Sequence, residues 1–145
     1  MDAVVTRRSL HVVLLLGAAY SAIGVGFAAF SDLATSNEMH LMWRRLAWLA
    51  SGAVFAAHIV YEQFRAGNRR RTVAMHASSA AALGACGLAI AANLHEWKTA
   101  TSFRPSIAIA LFAWPLVTAV PAFLVALVAA AILSHVGTAT GRSRH

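Results

Sequence analysis

Acidic residues are scarce in this chain: five Asp and Glu stand against twelve Lys and Arg in 145 residues. Charged residues of either sign make up only 12%, about half the share of an ordinary soluble domain, which excludes that class. A single cysteine, Cys86, excludes an intramolecular disulfide; set in an apolar run, it reads as a small buried residue. Only three prolines interrupt the chain, so long uninterrupted helices are open to it. Acidic groups placed deep in an apolar run are also lacking. Asp2, Asp32, Glu38 and Glu96 fall in terminal or connecting segments, and Glu62 falls at a segment boundary, three residues before Arg65, with which it is expected to pair. Proton-coupled carriers keep a carboxyl group within a span, so that class is disfavoured.

What the chain has in abundance is apolar surface. Hydrophobic residues make up 59% of it and the mean hydropathy is +0.66. One crossing of the hydrocarbon core takes about 20 apolar residues as helix. Four apolar segments of that order run over about residues 10–30, 41–64, 72–94 and 106–135, with short polar connections between them. The fold expected is an all-α membrane protein, a four-helix transmembrane bundle forming a single integral domain over residues 1–145. The first segment has a rival reading. Thr6-Arg7-Arg8-Ser9-Leu10 resembles a twin-arginine signal and Ala28 and Ala29 a cleavage region. Its apolar run exceeds a typical signal core, and a retained helix is expected.

The third segment is built from Ala, Gly and Ser. Ala77, Ala81, Ala85 and Ala89 recur every four residues, with Gly84 and Gly87 beside them, a pattern that lets a neighbouring backbone approach closely. It is therefore expected inside the bundle. The fourth carries Trp114-Pro115 and Pro121 and is expected to be one bent helix ending near His135, with Gly137 and Gly141 in a frayed tail.

Orientation comes from the basic turn Arg65-Ala66-Gly67-Asn68-Arg69-Arg70-Arg71. Positive residues gather in cytoplasmic loops. With this turn inside, four spans put eight Lys and Arg on the inner side and four on the outer, with both termini cytoplasmic. The net charge of +7 is thereby explained by anionic lipid headgroups at residues 65–71 rather than by nucleic acid. The composition is that of a small bacterial protein of the cytoplasmic (inner) membrane.

Histidines are the one titratable set in quantity, seven in all. His11, His58, His76 and His135 each fall within about two turns of the inner end of a different segment. One imidazole per helix at one level is an arrangement that ligates a b-type haem in a bundle, with His58 and His76 the expected axial pair. On the outer side Glu38, His40, His95 and Glu96 offer a carboxylate and imidazole set for a divalent ion such as zinc, with Met39 and Met42 suited to copper(I). No dense metal motif such as His-Glu-x-x-His accompanies them.

Three functions are compatible with this chain. The first is a non-enzymatic accessory, anchoring or assembly subunit, packed against other membrane subunits or against copies of itself through its third and fourth helices. The second is a haem-binding electron-transfer or quinone-linked anchor subunit using His58 and His76. The third is a small-solute or metal-ion transporter built on the outer Glu, His and Met group.

Overall fold

A computed structural model describes the backbone of residues 2–64, 69–99 and 105–142, and the side chains of residues 9–64, 69–95 and 109–135. Every described element is helical: α1 (Asp2–Asp32), α2 (Asn37–Phe64), α3 (Arg70–Thr99) and α4 (Pro105–Arg142). At about 1.5 Å per residue even α2, with 28 residues, exceeds the ~30 Å hydrocarbon core. Helix therefore consumes what the sequence marks as connections, including the stretch through Gly137 and Gly141, which continues α4 to Arg142 rather than fraying.

The ends are set locally. Ser36 caps α2, its Oγ accepting from Met39 N at 3.2 Å, with Glu38 placed favourably in the first turn. Pro105 opens α4, where its missing N–H costs nothing. Pro115 and Pro121 lie within a single continuous α4, and the Thr118 hydroxyl donates to the Trp114 carbonyl at 2.8 Å.

The four helices run alternately up and down, and α2 contacts the other three, as does the more extensively packed α3. Its partners on either side are α1 and α4, which do not touch each other among the described residues. The α1–α3 seam needs glycine. A Cβ on Gly17 would stand 2.7 Å from Leu83 Cβ, and one on Gly84 would collide with Tyr20 Cβ. Between them the Ser21 hydroxyl reaches the carbonyls of Gly17 (3.1 Å) and Gly84 (3.3 Å), the second bond crossing from α1 to α3. Toward α4, Val73, Ala74 and Ala77 pack on Ala126 and Ala130, with Ile59 of α2 closing the cluster. These alanines have no exposed surface, so this small-residue face of α3 is spent inside the molecule.

Three helices contain stretches long and apolar enough to cross a membrane: Ser9–Asp32, Arg70–His95 and Ile109–His135. This is the signature of a membrane protein. Within the molecule 44% of the most apolar α3 window is buried, against 17% for α1 and 11% for α4, which confirms α3 as the inner helix. The fourth helix, α2, is not among the span-capable ones. Arg44 and Arg45 near its start and His58, Glu62 and Gln63 near its end dilute an apolar run that is otherwise long enough.

Candidate functional site

Where α2 ends and α3 begins, three ionisable side chains meet inside the protein. One face of α2 presents Phe55, His58, Ile59 and Glu62, a spacing of three and four residues that turns all of them inward. His58 and Glu62, four apart, are 3% and 2% exposed. Antiparallel α3 brings His76 to the same level. The Glu62 carboxylate lies between the two imidazoles, with Oε2 3.2 Å from His76 Nδ1 and Oε1 3.7 Å from His58 Nε2. Only the first is within hydrogen-bonding range, and neither ring nitrogen of His58 makes a hydrogen bond.

The surroundings sharpen the chemistry. Ile59, Val73, Ala74, Ala77, Ala126 and Ala130 form the buried cluster that α2, α3 and α4 share beside the trio. A carboxylate excluded from water costs several kcal/mol unless charge and hydrogen bonds compensate it. A facing imidazole is a group that can supply both. The depth of the trio is modest: Glu62 lies two residues from the last residue of α2, and His76 about 9 Å along α3 from Arg70.

The four histidines proposed from sequence for a haem separate into two groups. His58 and His76 come together, while His11 and His135 lie exposed on α1 and α4. The Glu62 carboxylate occupies the space between the first two, and fully buried alanines pack beside them. A porphyrin plane inserted there would require Glu62 to withdraw and the alanine contacts to part, so this geometry does not fit the group. At the opposite end of the bundle, His40 Nδ1 pairs with Ser31 Oγ at 2.9 Å. Trp43 packs on Phe27 and Phe30 at centroid distances of 6.0 and 5.0 Å, closing the α1–α2 hairpin. Glu38 and His95 are exposed, and the side chain of Glu96 lies outside the described residues. Among the described residues no three His, Cys, Asp or Glu side chains gather as a metal site.

Glu62 is the residue whose role the sequence concealed. Expected at a segment boundary and paired with Arg65, which lies outside the described residues, it occupies the protein interior against two imidazoles. The available signal was its register, four residues from His58 and seven from Phe55 on one helix face. Elsewhere a shallow apolar groove of about 450 Å³ runs between α3 and α4, lined by residues that include Met75, Ser79, Val120 and Phe123. Compared with protein-family models, curated proteins and solved structures, the chain matches none.

Proposed function

We propose that the chain is a non-enzymatic integral membrane subunit, spanning four times with the 65–71 turn and both termini on the cytoplasmic side, that binds another membrane protein through α2. The observation that carries this reading is that the helix least suited to lipid presents its small residues outward. Gly52, Ala53, Ala56 and Ala57 form an exposed stripe on α2, bounded by Leu49 and Val60, and the Cβ position of Gly52 has nothing within 4 Å. By contrast, the exposed face of α4 carries Ile109, Phe112, Leu116, Val117, Leu124 and Val128, bulky groups that suit acyl chains. Small residues four apart favour close helix–helix approach within a bilayer. A neighbouring helix would also relieve α2 of facing lipid with its diluted apolar content. Because buried alanines of α3 face α1 and α4, the stripe on α2 is favoured as the outward contact surface over the third and fourth helices.

Gly52→Leu separates folding from assembly. A Cβ at this position has nothing within 4 Å, so the unfolding transition in lipid is expected to stay within about 1 kcal/mol of wild type. The protein purified gently from native membranes is expected to lose its partner, read by native mass spectrometry. Wild-type protein recovered only as a lone monomer, or a complex untouched by Gly52→Leu, would overturn the proposal. A partner identified as a second copy would assign the stripe to self-association.

A further inference from the structure

We infer that the groove between α3 and α4, together with Arg71, seats one anionic phospholipid, with an acyl chain lying in the groove and the phosphate held by the guanidinium beyond its end. The inference concerns α3 and α4 and stands independently of the assembly stripe on α2. The groove has a volume of about 450 Å³ and is lined by residues that include Met75, Ser78 and Ser79 of α3 and Val120, Phe123 and Leu124 of α4. Both walls belong to helices with stretches long and apolar enough to span a bilayer, so acyl chains are what border it in a membrane. Met75, Val120 and Leu124 are exposed there. The Ser78 hydroxyl donates to the Met75 carbonyl at 3.1 Å, so it requires no polar partner from an occupant. A concave apolar wall touches a hydrocarbon chain on more sides than a convex helix surface does, and those dispersion contacts add up.

Charge selects the lipid. Arg71, Met75, Ser78 and Ser79 stand at i, i+4, i+7 and i+8 and so share one face of α3. Met75 lies about 6 Å and Ser79 about 12 Å along the helix from Arg71, which puts the arginine at the headgroup end of a chain laid in the groove. Long side chains on a helix lean toward its N-terminus, so the exposed guanidinium is carried toward the membrane surface and away from the groove. Exposed Arg69 and Arg70 and the positive end of the α3 dipole reinforce the field there. No acidic residue occurs in α3 before Glu96 or anywhere in α4, so neither wall repels a phosphate. Phosphatidylcholine would bring its own cation toward these arginines, whereas a net anionic headgroup brings none.

The test uses the full chain purified in detergent, stripped of lipid and titrated separately with palmitoyl-oleoyl phosphatidylglycerol and with the phosphatidylcholine of the same chains, bound lipid being read by native mass spectrometry. Wild type is expected to retain one phosphatidylglycerol in preference to phosphatidylcholine. Arg71→Ala is expected to weaken phosphatidylglycerol binding about fivefold, the effect of one arginine at an anionic headgroup, and to leave phosphatidylcholine unchanged. Val120→Trp, at an exposed position on the groove wall, is expected to displace the lipid by filling the groove. Arg45→Ala, exposed at the opposite end of the bundle, is the control expected to change nothing. Wild type that retains no phosphatidylglycerol, or retains both lipids equally, overturns the inference. So does a phosphatidylglycerol complex indifferent to Val120→Trp, or an Arg45→Ala loss equal to that of Arg71→Ala. Should Val120→Trp not fold, Ser79→Leu on the facing wall decides by the same readout. A dimer that either groove substitution dissociates would assign the groove to a second copy and overturn the lipid site.

Discussion

Gly84→Leu is expected to unseat α1 from α3 and to cost about 3 kcal/mol, at the upper end of ordinary overpacking effects. The collision involves Tyr20 Cβ, which is anchored to the α1 backbone and cannot rotate away as the tip of a long side chain would. Parting the helices would also break the bond from the Ser21 hydroxyl to the Gly84 carbonyl. Gly26→Leu is the matched control, because nothing lies within 4 Å of the Cβ position of Gly26, and it is expected to leave stability nearly unchanged. Reversible unfolding in bicelles, followed by steric trapping or by detergent titration, distinguishes the two. Equal effects at both positions would show that the α1–α3 seam is not close-packed as described.

His76→Ala is expected to be comparably damaging. It removes the imidazole 3.2 Å from a carboxylate that is 2% exposed. Breaking a buried ion pair by removing one partner typically costs 3–5 kcal/mol, and the partial exposure of His76 places the loss at about 3 kcal/mol. Replacing all three members by Leu is expected to restore stability to near wild type, since a well-packed apolar substitute often matches a buried charged group. Stability measured for wild type, His76→Ala and the triple variant checks this set. A triple variant no better than His76→Ala would show that the trio is not held together by its polar contacts.

The helical architecture was legible because its physical cause is local. Four predominantly apolar segments, divided by Asp32, the 65–71 arginines and the 95–105 stretch, specify four helices whatever their packing. The interior position of α3 was legible too, since Ala77, Ala81, Ala85 and Ala89 declare a close-packing face, of which Ala77, Ala85 and Ala89 are buried and Ala81 half-buried. Two features were not legible, for one reason. The sequence shows that α3 can accept a close neighbour but not that α1 and α4 are the neighbours that fill its glycine and alanine faces. Likewise the imidazole of His76 comes beside Glu62 only once the hairpin closes. The span character of α2 shows a third limit, because Arg44, Arg45, His58 and Glu62 each dilute its apolar run whether they face protein, water or lipid.

The most direct test of the assembly claim is photo-crosslinking in native membranes, with a benzophenone amino acid placed at Ala57 on the α2 stripe and, separately, at Val125 on the exposed face of α4. A discrete protein adduct from position 57 and none from position 125 is the result predicted. Lipid adducts alone from position 57, or the same protein adduct from both positions, would contradict it.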